Sequence, residues 1–416
     1  MKELGEFFGG STPSTTDPTL WGGDIHWLVP SEISGIQECQ THLHQTENRL
    51  TQKGYDSCST HLLPPGTVAV SSRATVGDCI ICGREICTNQ GFVNIVCNDR
   101  MNNLFLLYWL RQNKRELLRY AAGTTFDEIG RGTFKKLQVA HPIDPREQQA
   151  IAEALSAVDS TVNAARESIA KAERLQKALM QHLLTGHLKP DSTPRSTSDF
   201  MADDHFGRLP RGWQSVRVKN LISSCEYGLS RAMSEHGHYP IFRMNNIERG
   251  RMVGSPLAYI DLSPEDFARY RVRKGDILFN RTNTVELVGK VGIFALEGDF
   301  VFASYLVRLV ASEENDPRFL NYYLNSFEGQ KRIAAKVTPS IGQANINTRS
   351  LKSVWAIKPP RGEQSAIADR IDAFFDLITA KEEKIAALQK LKKSLMQHLL
   401  TGRIRLPVPR DGKQEP

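Results

Sequence analysis

At 416 residues and 46.7 kDa the chain exceeds the size at which a single hydrophobic core stops growing, so two or three domains are expected. Hydrophobic residues at 40% and charged residues at 24% exclude a largely disordered chain, and the length excludes a small disulfide scaffold. The net charge of +7, with a pI near 9.0, admits an acidic partner such as nucleic acid without requiring one. The opening MKELGEFFGG has no signal-peptide core, and the apolar stretch 104–110 falls well short of the roughly 18–20 residues that cross a bilayer. A cytoplasmic protein without a membrane partner is expected.

The first 146 residues read as short strands at 66–70, 78–82 and 91–96, followed by a helix over 103–119. Six of the seven cysteines precede residue 100, an odd total that predicts reduced thiols in a chain lacking a secretory signal. Cys79 and Cys82 have the spacing of half a zinc knuckle. On a strand, however, residues three apart face opposite sides of the sheet, which argues against a shared metal.

A repeat then organises everything. Residues 147–189 align without a gap on residues 363–405, about half the positions are identical, and LMQHLLTG recurs unchanged. Both copies carry apolar residues in steps of four and three: Ile151, Leu155, Val158, Val162, Ala165, Ile169 and Ala172 in one, Ile367, Ile371, Phe374, Ile378, Ile385 and Leu388 in the other. The pattern then shifts phase to Leu175, Leu179 and Leu183, and to Leu391, Leu395 and Leu399. A seam this narrow needs a partner helix, and the other copy is the obvious one, lying antiparallel. Gly186 and Gly402 suit the left-handed position that closes a helix, with His182 and His398 in the last turn near its negative end.

Residues 190–208 begin with a polar, proline-containing linker, and 209–362 repeat the order strands, helix, loop, strand, with strands expected at 276–280, 292–295 and 305–310 and a helix at 317–337. The reading is α+β: two globular domains, 1–146 and 209–362, separated by a long antiparallel two-helix coiled coil formed by 147–189 and 363–405, with approximate two-fold symmetry and a tail at 406–416. No GxxxxGKS/T phosphate loop, GxSxG elbow, HExxH pair or Asn/Asp-Pro-Pro-aromatic tetrad is present, so a binding protein is favoured over an enzyme.

Two divergent heads, two similar helices, and the junctions at 146–151 and 360–367 closely resemble the DNA-specificity subunit of type I restriction–modification enzymes. In the first half the resemblance rests on residues 9–14, 21–28, 75–77 and 88–91. In the second it rests on LPRGW (209–213), 239–247, 275–283, 288–290 and QANIN (343–347). It implies two target-recognition domains, each reading one half of a bipartite asymmetric site in double-stranded DNA, with the helices setting the spacing. It also implies two modification subunits docked on the helical stalk, together with restriction subunits. S-adenosylmethionine, ATP and magnesium would then belong to those partners, with no cofactor, metal or catalytic residue in this chain. The first half starts without the LPRGW lead-in of the second. The alternative is a non-catalytic structural adaptor carrying two protein-binding heads.

Reading base edges requires Arg for guanine, Asn or Gln for adenine, and Ser or Thr for smaller contacts. The candidates are Arg73, Thr75, Asn89 and Gln90 in the first domain. In the second they form three groups: Arg243, Asn245 and Asn246; Asn280, Arg281, Thr282 and Asn283; and Ser340, Gln343 and Asn345. The same residue types also make turns and cap their own backbone, so about half are expected to shape loops or position phosphates. Arg131, Lys135, Lys136, Lys290, Lys331, Arg332, Lys336 and Arg349 are candidate phosphate clamps.

Overall fold

The computed structural model describes residues 1–121, 128–284, 287–340 and 343–407, with backbone alone described at 339, 340 and 343. The chain forms two compact units: Met1–Ile169 with Lys381–Pro416, and Ala170–Ala380. Each unit takes part of both long helices, the central one at Pro145–Leu184 and the C-terminal one at Arg361–Leu399.

Unit one contains strands β1 (Gly5–Gly9), β2 (Trp21–Leu28), β3 (His42–Leu43), β4 (Asn48–Leu50), β5 (Val68–Ser71), β6 (Cys79–Cys82), β7 (Cys87–Thr88) and β8 (Phe92–Cys97). Its main sheet runs in the order β1-β8-β5-β6-β3, and a smaller one runs β4-β2-β7. Unit two contains β9 (Phe200–Asp203), β10 (Gly207–Pro210), β11 (Gln214–Arg217), β12 (Ile222–Tyr227), β13 (Tyr239–Phe242), β14 (Ile247–Glu248), β15 (Arg251–Met252) and β16 (Ala258–Ile260). It continues with β17 (Ile277–Asn280), β18 (Thr282–Asn283), β19 (Val291–Ile293), β20 (Val301–Phe302), β21 (Leu306–Ala311), β22 (Thr338–Ser340), β23 (Gln343–Asn345) and β24 (Trp355–Lys358). The order β12-β21-β17-β19-β15 repeats that of unit one, down to a parallel last pair, and β16-β13-β20 repeats β4-β2-β7. The heads are therefore one fold used twice, although their sequences diverge.

The expected helix over 103–119 is two, Asn103–Gln112 and Lys114–Ala121, and that over 317–337 is also two, Pro317–Asn325 and Phe327–Ala334. A polar residue makes each break. Asn113 turns its amide back to the Trp109 carbonyl at 2.8 Å, while Ser326 donates to the Tyr323 carbonyl at 2.6 Å and accepts from Gly329 N–H at 3.1 Å. Cys79 packs in the core on one side of β6 and Cys82 on the other, as strand alternation requires. Burial pushes their thiols up to about 11 and about 12. Among the described residues no group of His, Cys, Asp and Glu is placed to hold a metal ion.

The junction residues bolt each head to its helix in the same way. Gln148 accepts the Asn102 N–H at 2.9 Å and donates to the Pro142 carbonyl at 2.8 Å; Gln364 accepts the Asp316 N–H at 3.0 Å and donates to the Pro359 carbonyl at 2.8 Å. Both are fully buried, so each bond satisfies a group that water cannot reach. The preceding glutamates secure the opposing chain end. Glu147 accepts from Arg405 through both oxygens at 2.5 Å, which holds its carboxyl below the usual range, and Glu363 pairs with Arg195 and accepts from Trp213 Nε1.

Within each unit the two helix segments are antiparallel. In unit one Glu147 meets Arg405 and Asp159 meets Lys392; in unit two Leu183 and Leu184 share a core with Ile367, Ala368 and Ile371. The early seam positions Ile151, Leu155, Val162, Ile367, Ile371 and Ile378 are buried. Leu175 and Leu391 are not, at 58% and 49% exposed; Gln176 and Lys392, one residue on, turn inward in their place. Both helices stop before Thr-Gly, with Gly186 at φ 74° and Gly402 at φ 70°.

Candidate nucleic-acid interface

The main sheet of unit one ends in loops that hydrogen-bond to one another. Ser11 N–H donates to the Thr88 carbonyl at 3.0 Å, Ser72 N–H to Gly91 at 2.8 Å, and Ile129 N–H to Ser72 at 3.0 Å, gathering residues 10–12, 72–75, 88–91 and 128–129. Gly10 is obligatory here, because a β-carbon would lie 2.0 Å from the Asn89 carbonyl oxygen. On this frame Arg73 is exposed, its Nε 3.0 Å from Glu128 Oε2, and Ala74 turns the loop at φ 59°. Thr75 is half-buried, its hydroxyl donating to Ser71 Oγ at 3.2 Å. The Asn89 side chain accepts from Gly91 N–H at 2.9 Å, whereas Gln90 is exposed and accepts from the Thr12 hydroxyl at 2.5 Å. Arg131 joins the group: a β-carbon on Gly9 would lie 3.3 Å from its Cζ.

Unit two builds the same frame. Leu229 N–H donates to Phe302 at 2.9 Å, Arg281 N–H to Tyr305 at 3.0 Å, and Ile346 N–H to Arg281 at 3.0 Å, matching the three bonds above one for one. Gly228 occupies the place of Gly10, a β-carbon there falling 2.4 Å from the Phe302 and Ala303 carbonyl oxygens. Even the turn repeats, with Ser71 N–H bonding Asp78 and Gly77 N–H returning to Ser71, as Asn280 N–H bonds Lys290 and Gly289 N–H returns to Asn280. Gly77 and Gly289 sit at φ 87° and 92°.

The side chains differ. By register Arg73 corresponds to Thr282, and Ser72 to Arg281. Arg281 is half-buried and clamped, with Nη2 3.2 Å from Asn345 Oδ1, Nη1 3.4 Å from the Ser304 carbonyl, and Cζ 4.9 Å from the Tyr227 ring centre. Thr282 and Asn283 pair with Asn345 and Ala344 of β23, and the Asn283 side chain accepts its neighbour Thr284 N–H at 2.8 Å. Ser340 and Gln343 lie on the β22–β23 hairpin, paired with each other; their side chains are outside the described residues. Two aromatic residues that composition and spacing did not single out belong here: Tyr227, 41% exposed, and Tyr305, 39% exposed. Tyr227 immediately precedes Gly228 of the frame and the Tyr305 carbonyl itself accepts a frame hydrogen bond, a signal visible only once the register is known.

Burial corrects the selection of base readers and phosphate clamps. Asn246 is fully buried, its amide donating to the Pro256 carbonyl at 2.8 Å, and Asn280 is fully buried, donating to Leu287 at 3.2 Å; both shape loops and neither reaches the surface. Arg243, half-buried, leaves β13 beside Ala303, and Asn245, two residues on, is exposed. Arg332 is tied internally to Glu328 at 2.7 Å and the His205 carbonyl at 2.7 Å, over the Phe206 ring, which removes it from the phosphate clamps. Lys135 lies 5.6 Å from the Phe7 ring centre, while Lys136, Lys290, Lys331, Lys336 and Arg349 are exposed with no ion pair among the described residues.

A family model described as type I restriction modification DNA specificity domain matches residues 1–174 and again 210–390, one copy for each head. The chain belongs to the type I restriction–modification DNA-specificity family. The MjaIX specificity subunit of Methanocaldococcus jannaschii is 24% identical over 98% of this chain and 93% of its own length, and the EcoKI specificity subunit of Escherichia coli is 21% identical over 70% and 63%. The S subunit of M. genitalium, at 13% identity and a TM-score of 0.57, covers 96% of this chain and 94% of its own; a chain from a structure of type I complex assembly and conformational transition, at 18% and 0.57, covers 97% of each. A type I specificity subunit recognises DNA sequence and is the non-catalytic member of its complex, acting with other subunits. No described helix of this specificity subunit is long and apolar enough to cross a membrane.

Proposed function

We propose that each unit reads one half of a bipartite asymmetric DNA site through its loop cluster: Arg73, Gln90 and Arg131 in unit one, and Asn245, Thr282, Asn283 and Asn345 in unit two, with the clamped Arg281 and the two exposed tyrosines shaping that surface. The observation carrying this reading is the identical backbone frame with different side chains at equivalent places, Arg73 for Thr282 and Ser72 for Arg281. Equal frames present side chains at equal depth; unequal side chains select unequal bases. Lys290, Lys331, Lys336 and Arg349 supply phosphate contacts that carry no sequence information.

The long helices, 40 and 39 residues, each about 60 Å at 1.5 Å per residue, set the gap between half-sites. Two modification subunits dock on the helical stalk, and restriction subunits complete the assembly. S-adenosylmethionine, ATP and magnesium belong to those partners, and the complex works in the cytoplasm. Mapping methylated adenines in the host genome tests this in one measurement. Two short specific sequences at a fixed gap are expected; a single continuous site contradicts the reading. Inserting about four residues, close to one turn, into both helices should widen the gap and leave each half unchanged.

A further inference from the structure

At one place in the shared frame both units set a side chain against an arginine. In unit one the Glu128 backbone bridges Arg73 antiparallel, as Asn345 pairs with Thr282 in unit two. The next frame bond, Ile129 N–H to Ser72 in one and Ile346 N–H to Arg281 in the other, fixes the correspondence. Glu128 and Asn345 are therefore equivalent, but the arginines they contact are one residue apart. Asn345 Oδ1 lies 3.2 Å from Nη2 of Arg281, whose Nη1 lies 3.4 Å from the Ser304 carbonyl, so the forked end of that guanidinium is occupied inside the protein. Glu128 Oε2 instead lies 3.0 Å from Nε of Arg73, the nitrogen nearest the stem. Among the described residues neither Nη of Arg73 has a partner.

The backbone beneath Arg73 is held as firmly. Its carbonyl accepts from the Ser71 hydroxyl at 2.9 Å and from Thr75 N–H at 2.6 Å, and Ala74 follows at φ 59°, a conformation that a residue other than glycine keeps only where its surroundings impose it. The Arg73 and Glu128 side chains are 49% and 37% exposed, so the pair lies at the surface. An arginine already oriented loses less rotamer freedom on binding, and its free fork presents two N–H groups side by side. In the major groove guanine offers the matching pair of acceptors, O6 and N7. A carboxylate this close also weakens the pull of Arg73 on phosphates, which leaves geometry rather than net charge to decide what the arginine meets.

We infer that Glu128 is a positioning residue that aims Arg73 at a guanine, so that the half-site read by unit one contains a guanine fixed by this pair, whereas unit two has no such reader at the equivalent place. The inference rests on the assignment of one half-site to each unit. Glu128 acts through Arg73 and not on the base.

The test uses the complex reconstituted with the full chain and duplexes in which each position of both half-sites is varied in turn. One position of one half-site should require guanine, and Arg73→Ala should release that position alone. Glu128→Ala should lower the preference for guanine there by about tenfold, while affinity for duplexes lacking the guanine holds or rises because a negative charge has left the surface facing DNA. Glu128→Gln, which keeps an oxygen at the same reach, should retain more of the preference than Glu128→Ala. Adding Glu128→Ala to Arg73→Ala should change nothing further at that position. If Arg73→Ala releases a position that Glu128→Ala leaves untouched, or one where the preferred base is not guanine, the inference is overturned and the half-site reading stands. A fall in affinity common to every duplex in Glu128→Ala would reduce Glu128 to a structural role and overturn it equally. Release of no position by Arg73→Ala overturns both the inference and the reading of DNA through this loop cluster.

Discussion

Lys392 Nζ lies 2.7 Å from Asp159 Oδ1, joining the end of the C-terminal helix to the start of the central helix inside unit one, with the two side chains only 9% and 3% exposed. Tyr108 donates its hydroxyl to the other Asp159 oxygen at 2.7 Å, and Lys392 donates to the Glu38 carbonyl at 3.1 Å. At the repeat positions unit two has Phe375 and Gln176, so this charged link belongs to one unit alone. Unit two ties its helix differently, with Tyr322 donating to Asp372 and Arg318 bonding Asp369 at 2.6 Å. Nearly equal helices are thereby given unequal cross-links, which favours each segment pairing with its proper partner.

Removing one member of the buried pair leaves the other charge uncompensated. Asp159→Ala or Lys392→Met should each destabilise unit one by about 3–5 kcal/mol, whereas the double variant Asp159→Leu with Lys392→Met should recover most of the loss. Denaturant unfolding of the three variants checks this. Equal losses in single and double variants would show that packing, not charge, governs the site.

Gln148→Ala and Gln364→Ala each strand buried backbone groups at a head–helix junction, at a cost of about 1–3 kcal/mol per group left unsatisfied. Hydrogen exchange should accelerate at the Asn102 amide in the first variant and at the Asp316 amide in the second. Acceleration spread evenly over both units would contradict a local role.

His26 is 2% exposed, and its Nδ1 accepts the Thr46 N–H at 3.1 Å, which requires that nitrogen to be unprotonated. Burial, reinforced by Arg84 and Arg49, lowers its pKa below the usual 6.5. The unfolded chain therefore binds the proton more readily, so this contribution is whole above pH 6.5 and is lost as pH falls through the lower folded value. Melting of unit one should become steeper in pH below about 6.5. His26→Gln should flatten that slope; an unchanged slope would exclude His26 as its source.

Base readers and phosphate clamps separate by experiment. Arg73→Ala in a reconstituted complex should cost about 1–3 kcal/mol and relax specificity in one half-site only. Lys290→Ala should weaken binding to all sequences alike and lower the salt slope by about one. Binding selections at two salt concentrations distinguish the outcomes.

The repeat made the helices, their antiparallel pairing and their terminal glycines legible, because a seam spaced by four and three has one partner of matching length. Strand alternation likewise placed Cys79 and Cys82 on opposite faces. Periodicity could not place Lys392 inward and Leu391 outward, since that choice depends on Asp159 and Tyr108, far away in sequence. The loops were legible in composition and less so in role. Asn246 and Asn280 have the chemistry of base readers but are consumed by carbonyls of their own turns, while Tyr227 and Tyr305 reach the surface through strand register that no local pattern encodes.

Exchanging residues 209–362 for the equivalent head of another family member, then reading the methylated sites of the hybrid complex, tests the central claim most directly. One half of the recognised sequence should change while the other half and the gap persist. A change in both halves, or in neither, would contradict the assignment of one half-site to each unit.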